Sequence, residues 1–179
     1  DALMIIRSVR VRNFRSVRDE TLLCDDMTVL VGPNGSGKSS FLRALEVFYS
    51  PSARYTEDDF YGQISSEKIL ITVTFSSLTD KEKQLFRKYL EGEEMTVEKE
   101  LSWPCGRGSQ KYYGTSLQNP DFDGFRSAAG TALRQEYNKL RSTERYSGFA
   151  TYTNRPDAEN VLSEWEQSNP ESCQRRRDD

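Results

Sequence analysis

The sequence predicts an α/β fold in which a mixed sheet is followed by a mostly helical C-terminal region. Three features of the 179 residues lead to this prediction. A glycine-rich segment, residues 32–40, separates a short apolar run from a run with helical spacing. Apolar alternating or β-branched stretches lie on both sides of it. Toward the C-terminus, apolar residues recur at helical intervals. We therefore expect a first domain over residues 1–120 and a helical region with a polar tail over residues 121–179.

The glycine-rich segment carries the most specific signal. Residues 32–39, Gly-Pro-Asn-Gly-Ser-Gly-Lys-Ser, match the phosphate-binding loop G-x-x-x-x-G-K-[ST]. Residues 27–31 before it predict a buried strand, and residues 39–49 after it predict a helix whose apolar residues share one face. This strand-loop-helix context is the one the motif requires. The alternative is a glycine turn that binds nothing.

Each residue type in the loop suits phosphate binding. Glycines let the backbone approach a phosphate closely, and the loop N–H groups with the helix N-terminus form a positive concavity. Lys38 is expected to reach the β- and γ-phosphate oxygens, and the Ser39 hydroxyl to bind Mg²⁺. The candidate ATP-binding residues of the loop are Asn34, Gly35, Ser36, Gly37, Lys38, Ser39 and Ser40, and Ser39 is the candidate metal ligand.

Composition restricts the other classes of function. Hydrophobic residues make up 35% of the chain and charged residues 30%, and the net charge is −3, so overall charge does not indicate a nucleic-acid binder. Cys24, Cys105 and Cys173 are too far apart for a zinc site or a disulfide framework and suggest reduced thiols in the cytoplasm. The chain has no histidine, which excludes imidazole chemistry. No apolar run reaches membrane-spanning length.

The residues around the loop predict further strands. Ile5, Val9 and Val11 alternate with polar residues, residues 13–16 form a turn, and residues 20–24 form a second strand. The carboxylates at residues 57–59 are either a metal-binding cluster or a solvated loop, and the loop is favoured. Residues 68–75 are strongly β-branched and predict a strand.

The middle of the chain predicts a capped helix and a hairpin. Thr79 and Glu82 form a capping box, and the helix that follows is expected to bury Leu85 and end at Gly92. Residues 95–103 alternate as a strand with one wet face, and residues 110–117 pair back to complete a β-hairpin over 95–117.

The last third predicts helices and a disordered end. Residues 122–140 have the spacing of one helix, and Ala158, Val161, Leu162 and Trp165 mark a shorter one. Residues 168–179 are polar and suggest a solvated, disordered tail, in which Asp178 and Asp179 offset three arginines.

Two motifs together carry a family resemblance. The first is V-R-N-F-R-S at residues 11–16, and the second is V-G-P-N-G-S-G-K-S-S at residues 31–40. Together they resemble the N-terminal lobe of an ABC-type ATPase head, which has a P-loop NTPase fold. Such heads are found in SMC and RecF proteins and in OLD (overcoming lysogenization defect) nucleases. I-T-V-T-F, L-T-x-x-E and the hairpin near K-E-L-S-W narrow the resemblance to the OLD family. The resemblance implies that Arg15 lies beside the nucleotide; alternatively, Arg15 only solvates a turn.

The resemblance also implies a function. In such proteins two heads sandwich ATP with Mg²⁺, and ATP binding or hydrolysis gates DNA processing, which implies DNA as partner and a homodimer.

After Ser40 we find no apolar strand ending in Asp-Glu and no L-S-G-G-like signature. We therefore expect the N-terminal part of a longer head, without assigned catalytic residues and inactive in isolation. The alternatives are a RecF- or SMC-like repair or maintenance ATPase, a non-catalytic nucleotide-binding scaffold and, more weakly, a transporter ATPase.

Overall fold

The computed structural model of the chain describes residues 4–24 and 38–178. The chain divides into two compact units. The first comprises Asp1–Thr115 with Arg177–Asp179, and the second comprises Ser116–Arg176. The strand predicted at residues 27–31 and the loop residues before Lys38 lie outside the described part of the chain.

An antiparallel sheet forms the first unit. Its strands are β1 (Ile5–Phe14), β2 (Val17–Leu23), β3 (Ile69–Ser76), β4 (Leu90–Glu91), β5 (Glu94–Leu101) and β6 (Gln110–Gln118). They are ordered β2-β1-β3-β5-β6, with β4 paired to β5, and the pairings among them are antiparallel. Arg177 and Asp178, the end of β7 (Gln174–Asp178), also belong to this unit.

One face of the sheet carries the core of this unit. Alternation along β1 and β3 places apolar side chains on that face, and Val9, Ile71 and Val73 are fully buried there. Helix α1 (Lys38–Tyr49) contributes Phe41, Ala44, Val47 and Phe48 to the same core. Leu42 and Tyr49, which we expected on the buried face of this helix, are exposed because they lie on its other side.

The opposite face of β5 differs from the prediction of one wet face. Glu98 and Glu100 are buried rather than solvated. They can be buried because cations pair with them: Arg12 lies 2.7 Å from Glu98, Lys68 lies 2.7 Å from Glu100, and Arg177 contacts both at 2.6 and 2.9 Å. Burial acts to raise the pKa of Glu100, but the hydrogen bonds from Lys68 and Arg177 outweigh it and hold that pKa below its ordinary value.

Helix α2 (Asp80–Leu85) has the predicted start but an earlier end. The Thr79 N–H donates to Glu82 Oε2 at 2.8 Å, and the Glu82 N–H donates to Thr79 Oγ1 at 3.3 Å, which completes the capping box. The helix stops at Leu85, whose side chain is 74% exposed, so the prediction that it is buried was wrong. A 3-10 turn, Arg87–Tyr89, follows. Gly92, with φ of +62°, lies in the turn between β4 and β5 instead of ending the helix.

The second unit is helical and has its own aromatic core. Helices α3 (Asp123–Ser127), α4 (Thr131–Arg141) and α5 (Arg155–Ser168) surround it. Its members are Phe122, Phe125, Leu133, Tyr137, Tyr146, Ala158 and Leu162, with Phe149, Tyr152 and Trp165 packed against them.

Two sequence predictions for this region were wrong. The single helix predicted over residues 122–140 is broken between α3 and α4, because Gly130 has φ of +58°, a value that a helix interior does not allow. The tail predicted to be disordered contains a 3-10 turn, Pro170–Ser172, and strand β7. Arg176 in β7 forms an ion pair with Asp123 at 2.8 Å, and this ion pair helps to order the polar segment.

Glu166 provides a test of how this unit is held together. Its carboxylate is 3% exposed and accepts hydrogen bonds from the Asn119 N–H at 2.6 Å and from Arg126 Nη1 and Nη2 at 2.9 and 2.8 Å. We expect Glu166→Ala to lower the free energy of unfolding by about 3 kcal/mol, because it leaves a partly buried guanidinium and a buried N–H unpaired. Urea unfolding followed by circular dichroism measures this. The control is Glu159→Ala, whose carboxylate is exposed; equal losses in the two variants would contradict the prediction.

Candidate nucleotide-binding site

Helix α1 begins at Lys38, so the last residues of the loop motif form its first turn. The backbone N–H groups of a first helical turn have no partner within the helix and are available to an anion. Ser39 is exposed, whereas Ser40 is buried. Asn34, Gly35, Ser36 and Gly37 lie outside the described residues, and so does the side chain of Lys38.

The turn between β1 and β2 lies against this end of the helix. Ser16 Oγ and Ser40 Oγ are 3.2 Å apart and share a hydrogen bond. Asn13 and Arg15 adopt φ of +57° and +52°, which turns the chain within four residues. The Asn13 side chain donates to the carbonyl of Glu67 at 3.0 Å and anchors the turn. Arg15 directly precedes Ser16 in this turn, and its place beside a nucleotide, which the resemblance implies, stays a prediction.

Arg15 is oriented by Asp59, a residue that sequence analysis assigned to a solvated loop. The Arg15 N–H donates to the Asp59 carbonyl at 2.7 Å, and Arg15 Nε donates to Asp59 Oδ1 at 2.9 Å. Asp59 Oδ2 in turn accepts from the Thr56 N–H at 2.9 Å. Within the described residues, Arg15 Nη1 and Nη2 make no hydrogen bond, so the guanidinium keeps free donors for a ligand.

The neighbouring carboxylates are occupied by protein partners. Glu57 accepts from Ser65 Oγ at 2.6 Å, and Asp58 accepts from Gln63 Nε2 at 3.1 Å, within and around a 3-10 helix, Glu57–Asp59. In the two stretches that the structure describes, no group of three His, Cys, Asp or Glu residues is placed to hold a metal ion. The preference for a loop over a metal-binding cluster at residues 57–59 stays a prediction.

The far end of α1 is held by Lys99, which sequence analysis missed. Lys99 on β5 is fully buried, and its Nζ donates to the carbonyls of Val47, at 2.8 Å, and Ser50. The Tyr112 hydroxyl donates to the Phe48 carbonyl, and Lys99 Nζ lies 4.9 Å from the centroid of the Tyr112 ring. A cation at a helix C-terminus satisfies carbonyls that lack partners in the helix and interacts favourably with the helix dipole.

A sequence signal for Lys99 did exist. Val97, Lys99 and Leu101 are alternate residues and therefore point to the same face of β5. A lysine among apolar residues on the inward face of a strand needs a buried partner. The carbonyls at the end of α1 are that partner, but they lie about 50 residues earlier and no local pattern indicates them.

Comparisons with known proteins assign the chain to a family. A family model described as AAA ATPase domain matches residues 4–174. The chain belongs to the AAA ATPase domain family. It is also similar to an OLD nuclease of Thermus scotoductus (strain ATCC 700910 / SA-01), with 36% identity over 76 residues. That match covers 40% of this chain and 14% of the relative, so the chain corresponds to a small part of that protein.

A solved structure gives a weaker likeness. It comes from work titled "Structural biochemistry of ATP-driven dimerization and DNA stimulated activation of SMC ATPases", with a TM-score of 0.41 and 13% identity. The match covers 88% of this chain and 90% of that one. Family membership and the partial OLD match confirm the predicted α/β fold and an OLD-like ATPase region, and an ATPase domain of this family implies nucleotide binding. In the described residues, no helix has the length and apolar character needed to cross a membrane.

The Lys99 clamp predicts a pH dependence of stability. Burial lowers the pKa of Lys99 from 10.5 to about 8, so between these values the unfolded chain binds more protons than the folded chain. The free energy of unfolding contributed by this group therefore rises with pH through that window. Relative to Lys99→Met, we expect the wild type to gain about 2 kcal/mol between about pH 7 and about pH 9.5. Urea unfolding at both pH values measures this, and a difference that stays constant would contradict the buried clamp.

Proposed function

We propose that this chain is the ATP-binding lobe of an OLD-like ATP-dependent DNA endonuclease, in which ATP binding or hydrolysis gates DNA processing. The observation that carries the proposal is the meeting of two motifs. The phosphate-loop sequence enters α1 at Lys38, and the turn that bears Arg15 is hydrogen-bonded to the same helix end through Ser16 and Ser40. Membership of an ATPase family and the partial similarity to an OLD nuclease support it.

The residues at the helix start divide into two roles. Ser39 is exposed, and its hydroxyl is proposed to bind Mg²⁺, a hard cation that takes oxygen ligands. When bound, Mg²⁺ would bridge the β- and γ-phosphates and neutralise their charge. The Ser40 hydroxyl is hydrogen-bonded to the Ser16 hydroxyl, so the Ser40 side chain fixes the turn against the helix. The backbone N–H of Ser40 remains part of the first helical turn. Lys38 is proposed to contact the β- and γ-phosphate oxygens.

Arg15 is proposed to contact the nucleotide with the donors that Asp59 leaves free. The Nε bond to Asp59 fixes the plane of the guanidinium before any ligand arrives. A guanidinium held in this way loses little conformational freedom on binding, and its two terminal amino groups suit a phosphate oxygen. The exposed part of the side chain, about 40%, leaves room for that contact.

Turnover is proposed to require residues that this sequence does not show. Hydrolysis needs a carboxylate that holds Mg²⁺ and a group that orients the attacking water. No apolar strand ending in Asp-Glu follows Ser40 in the 179 residues. We therefore propose that this chain binds ATP without hydrolysing it alone, and that a second lobe and a second head complete the site in a homodimer that acts on DNA. Because that strand is missing from these residues, a module that binds nucleotide without hydrolysing it is the second candidate function.

Substituting Lys38 tests the triphosphate site. We expect Lys38→Ala to weaken ATP binding with Mg²⁺ by about a hundredfold or more, because it removes charge-assisted hydrogen bonds to the phosphates. Isothermal titration calorimetry of both proteins measures this. Lys139→Ala is the matched control, because it removes the same charge from an exposed side chain on α4. Equal ATP affinity in wild type and Lys38→Ala would overturn the proposed function.

A further inference from the structure

A polar groove in the second unit is lined by none of the described residues that we propose for the triphosphate site. It has a volume of about 480 Å³, within the range of small-molecule sites. The groove lies between α4 and the segment after Phe149. Its lining consists of Arg134, Asn138, Arg141, Ser142, Thr151 and Tyr152.

The helix presents its polar residues to this groove as a set. Arg134, Asn138 and Arg141 are spaced four and then three residues apart, which places them on one side of α4. The buried side of the same helix carries Leu133 and Tyr137, which pack into the aromatic core. The polar side is therefore held in a fixed position by the core behind it.

The charge of the groove is local and unbalanced. Residues 116–176 contain eight basic and nine acidic side chains, so the unit as a whole is not basic. Among the residues that the structure describes, no carboxylate lines the groove. Several other cations of the unit form ion pairs within it: Arg126, Lys139, Arg145, Arg155 and Arg176. Within the described residues, Arg134 and Arg141 form none, so their charges remain available to an anion.

Arg141 is oriented in advance. Its Nε–H donates to the Phe149 carbonyl at 3.0 Å, and that bond fixes the plane of the guanidinium. Its Nη1 and Nη2 groups have no hydrogen-bond partner in the part of the chain that the structure describes. They present the two-donor fork that matches a phosphate oxyanion.

The remaining lining suits a nucleobase. The Tyr152 ring lies 5.7 Å from the Tyr137 ring, which holds it at the groove wall. Aromatic side chains held in this way stack on bases regardless of sequence. The side-chain amide of Asn138 makes no hydrogen bond within the described residues and offers a donor and an acceptor to a base edge. A volume of about 480 Å³ leaves room for more than a single phosphate.

From these contacts we infer that the groove binds a nucleoside phosphate unit, either one residue of a single-stranded nucleic acid or a free nucleotide. Arg134 and Arg141 bind the phosphate, and Tyr152 stacks on the base. The inference goes beyond the proposed function.

Two probes distinguish the sources of the ligand: a fluorescein-labelled oligothymidylate and thymidine monophosphate, each titrated against the full chain without Mg²⁺ across a salt series. The test protein is the double variant Arg134→Gln/Arg141→Gln. The matched control, Lys139→Gln/Arg155→Gln, removes the same number of charges from exposed side chains outside the groove. We expect the test variant to bind at least about tenfold more weakly and the control to bind like wild type. For the strand, the slope of log affinity against log salt should flatten by about 0.7 in the test variant, because one phosphate contact is lost.

The outcomes separate cleanly. Loss of oligothymidylate binding in the test variant alone supports a strand site, and loss of only thymidine monophosphate binding supports a nucleotide site. Equal binding by wild type and test variant, equal weakening in test and control, or no binding of either probe overturns the inference.

Arg134→Gln alone guards against misfolding, because this exposed side chain has no partner to lose in the described residues, and it should also weaken binding. Lys38→Ala should not affect this binding, so a failure of the groove is distinguishable from a failure of the proposed function.

Discussion

Helix α1 is fixed at both ends, and the placement of the candidate site depends on that constraint. At its start, the hydroxyls of Ser16 and Ser40 join the first helical turn to the turn between β1 and β2. At its end, Lys99 donates to the carbonyls of Val47 and Ser50. Between these points the apolar face of the helix packs on the sheet. A helix held in this way cannot slide or rotate without breaking these hydrogen bonds, so its first turn, which contains Ser39 and Ser40, keeps its position.

Burying charge on both faces of β5 is costly, and the structure offsets the cost with partners. Lys99 faces the core and relies on carbonyls at a helix end, where the partial negative charge is greatest. Glu98 and Glu100 face the other way and rely on cations, one of which, Arg177, comes from near the end of the chain. Such arrangements contribute little net stability, but removing one partner is expensive. We infer that the buried charges of β5 fix the register of that strand and the position of α1, and that they add little to the free energy of unfolding.

Local patterns in the sequence predicted much of the fold. The strands near residues 5–12 and 69–75, the capping box at Thr79 and the start of a helix at the phosphate loop depend on neighbours in sequence, and the structure contains them. The break at Gly130 was missed because the apolar spacing continues across it, although one residue requires positive φ.

Pairings between distant residues were not predictable. Asp59 meets Arg15 across 44 residues, and Lys99 reaches Val47 across 52. Nothing near Asp59 in the sequence distinguishes it from the solvated carboxylates beside it. Lys99 is conspicuous only because it interrupts an apolar alternation, and its partners are backbone atoms, which have no sequence signature. The residues of the loop itself, from Asn34 to Gly37, stay a prediction from the motif.

The central claim is that the phosphate loop and the turn bearing Arg15 act on one triphosphate. Hydrogen exchange measured by mass spectrometry, with and without ATP and Mg²⁺, tests this most directly, because it reports both segments in one experiment. The account predicts that ATP with Mg²⁺ slows exchange in peptides covering residues 32–40 and in peptides covering residues 13–16. Unchanged exchange in both segments at saturating ATP, or protection confined to other parts of the chain, would contradict it.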